Sequence, residues 1–118
     1  MTLRTSHEKP VYVRLRETIA NAIVSGRYKD GDSLPSVRAL AADEQANPLT
    51  VAKAYQGFQD EGLVIVKCGV GLFVAPGARA RLKTSERDRF LNDEWPEIRE
   101  RMDRLGIDPA ELLDRQRA

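Results

Sequence analysis

Residues 34–62 constrain this 118-residue chain more than any other stretch, because two helix starts stand close together there. The first helix opens at Leu34-Pro35-Ser36-Val37-Arg38, where the Ser36 hydroxyl can accept from the free backbone N–H groups of the first turn. Val37, Leu40 and Ala41 follow at helical spacing. The second opens at Asn47-Pro48, an N-cap residue followed by proline at a position where a missing N–H costs nothing. It runs through Val51, Ala54, Tyr55 and Phe58 and stops before Gly62, leaving Glu44, Gln45 and Ala46 for the turn. Two short helices joined in this way make a helix-turn-helix, whose second helix can enter a DNA major groove, although any small helical hairpin carries the same marks.

The flanking residues narrow the choice. Leu63-Val64-Ile65-Val66, a turn Lys67-Cys68-Gly69-Val70-Gly71, and Leu72-Phe73-Val74 read as a two-stranded hairpin, a wing placed directly after the helix pair. A turn alone accounts for Gly71 as well as any contact does. For Gly69 the favoured reading is close backbone approach to a phosphate or a minor-groove edge. Ahead of the pair, Tyr12, Leu15, Ile19, Ala22 and Ile23 mark one face of an amphipathic helix over Pro10 to Ser25 that Gly26 ends. A unit this small needs all three helices to bury a centre, with Tyr28 and Leu34 plugging it from the connecting loop.

The remaining stretch has a different character. Leu91, Trp95, Ile98, Met102 and Leu105 are spaced four, three, four, three, as in a heptad seam, with Phe90 beside them. Pro96 predicts a kink or a fresh helix start. Gly106 caps the helix, and Asp108-Pro109-Ala110-Glu111 starts another with a cap, a first-turn proline and a capping-box glutamate. Two helices cannot bury that seam alone, so it must pack on the winged domain or on a second copy of the tail, and the second copy is the expected cover. The fold class is therefore mainly α with a small β-hairpin. Residues 1–9 form a flexible leader, 10–76 the winged helix-turn-helix, and 77–118 a two-helix C-terminal dimerisation segment.

Residues 10–75 resemble the N-terminal domain of the GntR family of bacterial transcription regulators. The resemblance rests on Pro10-Val11-Tyr12, Gly26, Gly31-Asp32, Leu34 to Arg38, Leu40-Ala41, Asn47-Pro48, Thr50-Val51, Lys53-Ala54-Tyr55, Glu61-Gly62-Leu63, Gly69, Gly71 and Phe73-Val74. The short tail is similar in architecture to the YtrA-type branch, whose members dimerise through two C-terminal helices. The resemblance implies operator binding as a homodimer, with repression as the default. By position it implies that Arg38 reaches into the major groove, where a guanidinium can donate two parallel hydrogen bonds to guanine O6 and N7. Ser36 matches a position where a hydroxyl and nearby N–H groups can also hold a phosphate. Asn47, Leu49 and Thr50 begin the recognition helix, with Leu49 suited to a thymine methyl group. Lys53 and Tyr55 are candidate phosphate contacts, and Lys67 and Gly69 belong to the wing. Two roles stay open for Asn47, capping alone or DNA contact. Two also stay open for Tyr55, a phosphate contact or a ring packed in the core with its hydroxyl at the edge.

The sequence departs from the family pattern at several places. Ala46 is smaller than the usual branched residue before the asparagine, Glu44 stands at a common leucine position, and the wing carries Cys68 and Val70 where arginine is frequent. Residues 1–76 hold nine basic and eight acidic side chains, a net charge of only +1, and the rest of the chain is neutral with ten of each. A DNA-binding domain usually shows a stronger basic excess, so binding must rest on local segregation of Arg38, Lys53 and Lys67. The same near-neutrality favours an alternative, a winged helix used as a protein-interaction or assembly module.

Composition excludes other classes. No glycine-rich phosphate loop, nucleophile elbow or catalytic triad is present, so the chain is not expected to be an enzyme or to need a cofactor. One cysteine and one histidine, Cys68 and His7, make a zinc site improbable and leave no internal disulfide. Cys68 has two readings, a redox-sensitive thiol or an incidental residue, and the second is favoured because Lys67 is the only positive charge beside it in the sequence. Without an apolar run of membrane length or a signal peptide, a cytoplasmic location is expected. An effector, if one acts, is expected at the helical dimer interface near Trp95, because the tail is too short to enclose a metabolite within one subunit.

Overall fold

The computed structural model describes residues 9–117, with the side chains of 116 and 117 left aside. His7 and all of the leader except Lys9 lie outside the described residues. The elements are α1 (Val11–Val24), α2 (Val37–Glu44), α3 (Pro48–Asp60), β1 (Val64–Lys67), β2 (Gly71–Val74), α4 (Ala78–Arg89), a π-helical turn (Phe90–Glu94), α5 (Trp95–Leu105) and α6 (Pro109–Arg117). The chain divides into two units, Met1–Leu82 and Lys83–Ala118.

In the first unit, Leu15, Ile19 and Ile23 of α1 meet Leu40 and Ala41 of α2 and Val51, Ala54, Tyr55 and Phe58 of α3 in one apolar core. The helical period of the sequence puts these residues on inward faces, and Leu34 joins them from the loop with Tyr28 packed partly alongside. Arg16 staples α1 to α3. Its guanidinium lies 4.5 Å above the Phe58 ring and donates to Glu61 at 2.9 Å. Partial burial pulls its pKa down, but the hydrogen bond and charge of Glu61, with a smaller part from Tyr12, hold it above its ordinary value.

The helix ends obey local rules. Ser36 Oγ accepts from the Ala39 N–H at 3.1 Å, and Asn47 Oδ1 accepts from the Leu49 N–H at 2.9 Å. Glu44, expected in the turn, is instead the last residue of α2. The helix closes one residue later because Gln45 adopts φ +51° and the Ala46 N–H returns to the Ala41 carbonyl at 2.9 Å. At the end of α3, Gly62 at φ +75° lets the Leu63 N–H return to the Phe58 carbonyl at 2.8 Å.

β1 and β2 pair antiparallel, Val64 opposite Val74 and Lys67 opposite Gly71. The loop before α2 adds to this hairpin. Gly31 N–H donates to the Val74 carbonyl at 2.8 Å, Val74 N–H to Asp32 O at 3.0 Å, and Leu34 N–H to Leu72 O at 2.8 Å. The wing is thereby bonded to the segment that leads into α2.

The first turn of α4 belongs to the same unit, where Ala78 and Leu82 are buried in the core. Both Asp30 carboxylate oxygens accept from its N-terminus, from Gly77 N–H at 2.8 Å and Arg79 N–H at 3.2 Å. Arg79 Nε donates to the Val24 carbonyl at 3.1 Å, and Arg81 Nη2 donates to the Glu61 carbonyl at 2.8 Å. Three helix ends, those of α1, α3 and α4, are thus completed by contacts that cross this junction.

In the second unit, the π-helical turn precedes Pro96. The proline has no N–H and its ring crowds the carbonyl four residues back, so the backbone widens, and Trp95 N–H pairs with the Phe90 carbonyl. Leu91 falls inside this wide turn, so the seven-residue repeat read from the sequence is interrupted between Leu91 and Trp95. Trp95, Ile98, Met102 and Leu105 keep helical spacing within α5. Met102 alone is buried among the described residues of this unit, while Phe90, Leu91, Ile98, Leu105, Leu112 and Leu113 are exposed. Gly106 at φ +70° ends α5, and Asp108 Oδ1 accepts from Ala110 N–H at 3.0 Å to start α6.

Candidate nucleic-acid interface

Arg38 lies in the first turn of α2, directly after the Ser36 cap, and is exposed. No hydrogen bond or ion pair engages it among the described residues. Its fork of donors is therefore available for a guanine edge or a phosphate. The Ser36 oxygen is used in capping, which leaves its O–H proton as the group that can be offered outward.

The start of α3 presents Asn47, Leu49 and Thr50. Leu49 is 78 % exposed, an unusual position for a leucine in a unit that buries most of its large apolar side chains. Thr50 is half-buried beneath it, and Lys53 stands exposed one turn further on. Asn47 Oδ1 is engaged by the Leu49 N–H, so the amide NH2 is what Asn47 has left to donate.

Tyr55 corrects one expectation. Its side chain is only 3 % exposed, and its hydroxyl donates to the Pro35 carbonyl at 2.7 Å. A group so enclosed cannot reach a phosphate. It is a strut instead, fixing the middle of α3 against the residue that precedes the α2 cap. Burial, with a smaller contribution from Tyr28, pushes its phenol well above the ordinary range, so it stays a neutral donor.

On the wing, Lys67 rests its ammonium 4.6 Å from the centroid of the Phe73 ring, a cation–π contact that holds the side chain along the hairpin. Gly69 has φ +75°, so the turn itself demands glycine there. Open space surrounds the position a side chain would take. Val70 beside it is 71 % exposed, and Cys68 is exposed and free. The wing tip is accordingly apolar and small, with Lys67 as its single cation.

Sequence reasoning missed the residues that hold these parts in place. Asp30, Arg79 and Arg81 act as caps across distances of 19 to 55 residues, beyond any local pattern. Their only signal was alternation of arginine with small residues in Ala78-Arg79-Ala80-Arg81, which also fits a solvated helix. Among the described residues there is no group of three or more His, Cys, Asp or Glu that could hold a metal ion. No helix among them is long and apolar enough to cross a membrane.

The sequence model for bacterial regulatory proteins of the gntR family matches residues 11–74, a span containing α1 to α3 and both strands. The uncharacterized HTH-type transcriptional regulator YhcF of Bacillus subtilis is 28 % identical over 106 residues, covering 90 % of this chain and 86 % of that protein. The HTH-type transcriptional repressor YtrA of the same organism is 37 % identical over 73 residues, 62 % of this chain and 56 % of YtrA. Among solved structures, a transcriptional regulator from Oenococcus oeni superposes with a TM-score of 0.69 at 29 % identity, covering 96 % of this chain and 92 % of that one. The DNA-binding domain of AraR, solved in complex with operator ORR3, has a TM-score of 0.59 at 25 % identity, covering 64 % of this chain and 90 % of its own. These relatives are regulators and not enzymes. A family match that runs unbroken from the first core helix to the last strand of the wing settles what the geometry began: this chain belongs to the GntR family and is a DNA-binding transcription regulator.

Proposed function

We propose that the protein is a repressor that binds a two-fold symmetric operator as a homodimer, acting in the cytoplasm where that DNA lies. The observation that carries the DNA half of this reading is the pairing of Arg38 and Leu49. Both are exposed in the first turns of the two helices of the pair, while Leu40, Val51, Tyr55 and Phe58 of the same helices are buried. Arg38 would read guanine, Leu49 would pack on a thymine methyl, and Ser36, Asn47, Thr50 and Lys53 would set register on phosphates. Lys67 and Gly69 would bring the wing against the backbone of the duplex. AraR, bound to operator DNA through a domain of this fold, supports the same use of the winged unit here.

The homodimer half rests on the tail. Phe90 and Leu91 in the π-helical turn and Ile98 and Leu105 two turns apart on α5 are exposed apolar side chains, and Trp95 is half-covered. An unpartnered apolar row of this kind is what an isologous contact between two copies would cover, and a two-fold protein suits a two-fold site.

Selection of bound fragments from random DNA tests both halves. Recovery of an inverted repeat, lost with Arg38→Ala, is the expected result. Recovery of single half-sites with a monomeric protein in sedimentation would overturn the dimer, and recovery of no preferred sequence at low salt would overturn operator recognition.

A further inference from the structure

At the end of the wing, Val70 is 71 % exposed, and among the large apolar side chains of the described residues only Leu49 stands further out. The turn presents it in a defined way. Its N–H donates to the Lys67 carbonyl at 2.9 Å, and the chain passes through Gly69 at φ +75° before it and Gly71 at φ +143° after it. Neither neighbour has a Cβ, so the isopropyl group projects from a stretch of bare backbone. Branching at its own Cβ leaves it few rotamers.

The other groups of the tip match this one in character. Lys67 lays its ammonium over Phe73, which pairs with Ile65, so the charge is drawn back along the hairpin and away from the turn. Among the described residues no hydrogen bond engages the N–H of Cys68 or of Gly69, which leaves two backbone donors. The side chains of Cys68 and Val70 hold no strong acceptor. In the DNA minor groove an A·T pair shows only acceptors, adenine N3 and thymine O2, whereas a G·C pair adds the donor of the guanine amino group. Backbone donors suit the first. An isopropyl group pressed on the second takes the amino group from water and gives it no partner.

We propose that Val70 is a specificity-determining residue: the wing tip enters the minor groove, and the isopropyl group rejects guanine there by covering its amino group. The base pair beneath it must then be A·T or T·A. The proposal rests on the reading above that the wing lies against the duplex. With Leu49 it gives the winged unit two apolar contacts to base edges, one in each groove, which suits a domain of net charge +1.

The test uses the full-length protein and the operator that it selects from random DNA. Cys68 is the one cysteine of the chain and is exposed beside the turn glycine, so an iron chelate attached to it cuts the strands nearest the tip. Cuts on the two strands with the 3′ offset of a minor-groove cleaver are expected, and they locate the pair under the wing. That pair is then replaced. Guanine·cytosine and diaminopurine·thymine carry the amino group, while inosine·cytosine lacks it and keeps a guanine-like major-groove face. The first two should bind unlabelled protein about fivefold weaker or more, and the inosine pair should stay within about twofold of A·T. Val70→Ala should keep the wild-type melting temperature and cut the penalty of the amino group to about twofold or less. An inosine pair as weak as guanine would put the discrimination in the major groove, and a penalty undiminished in Val70→Ala would assign it to groove width. Either result overturns the role of Val70 and leaves the wing contact standing. Bound, labelled protein that makes no cuts, or cuts with a major-groove offset, overturns the wing reading and this proposal with it. Failure to select any operator removes sequence recognition altogether, and the proposal falls with that as well.

Discussion

Asp30 and Gly77 are joined by a 2.8 Å hydrogen bond from backbone to carboxylate across 47 residues, and the second carboxylate oxygen accepts from Arg79. A loop residue between α1 and α2 therefore serves as the N-cap of α4. Asp30→Ala removes an acceptor from two otherwise unpaired N–H groups, so a loss of about 1 kcal/mol of stability is expected. Urea denaturation of the variant checks it. Asp32, whose carboxylate accepts from Lys29 N–H inside its own loop, is the control and should cost less.

Arg38→Ala should leave the melting temperature unchanged, because the side chain is exposed and bonded to nothing among the described residues. Operator affinity should fall by one to two orders of magnitude, matching the loss of a bidentate base contact worth about 1–3 kcal/mol. Fluorescence anisotropy on a selected operator and on scrambled DNA separates the two effects. An equal fall on both would assign Arg38 to phosphate alone.

Tyr55→Phe deletes the hydroxyl that holds Pro35 and should cost about 1 kcal/mol. The slope of operator affinity against salt should stay at the wild-type value, since no phosphate contact is removed.

The same residue gives a pH signature. Its folded-state pKa is raised above the unfolded phenol value by burial, so the stability it contributes is whole below about pH 10. As pH rises further, the unfolded phenol ionises while the folded one stays neutral, and that contribution is lost. Denaturation midpoints taken from pH 8 to 11.5 should fall more steeply for the wild type than for Tyr55→Phe.

Gln45 occupies the left-handed region at φ +51° in the turn between α2 and α3, a conformation that glycine adopts without strain. Gln45→Gly should raise stability by about 0.5–1 kcal/mol, net of the greater freedom that glycine has in the unfolded chain. A higher urea midpoint with an unchanged slope is the expected readout.

The parts of this fold that were legible in the sequence are those whose causes are local. Ser36 and Asn47-Pro48 announce their helices through the two or three residues beside them, and the buried faces of α1 and α3 follow from spacing alone. Glycines 62 and 106 stop their helices because a backbone must turn left-handed there. The missed features act at a distance. The 31–34 segment pairs with β2 although Gly31-Asp32-Ser33-Leu34 lacks the alternation and branching of a strand, since its bonds are backbone ones set by the core on either side. Tyr55 was ambiguous because helical spacing assigns a ring to the core and is silent on its hydroxyl; only the carbonyl of Pro35, twenty residues earlier, decides the matter. Pro96 signalled a disturbance, but whether a helix kinks, restarts or widens depends on how the preceding carbonyls find partners. At the interface, Arg38, Leu49 and Lys53 were readable as candidates through the resemblance, while the degree to which Leu49 stands out of the core was not.

The capped start of α4 has an implication for how such proteins diversify. Initiating a helix is its unfavourable step, and extending it is nearly free. Here Asp30, Arg79 and the burial of Ala78 and Leu82 complete the costly opening turn inside the winged unit. Whatever sequence is spliced on after Leu82 inherits a helix already begun, so the junction behaves as a ready-made socket. Tails of unrelated composition could be exchanged there by recombination without the recipient having to evolve a new nucleus.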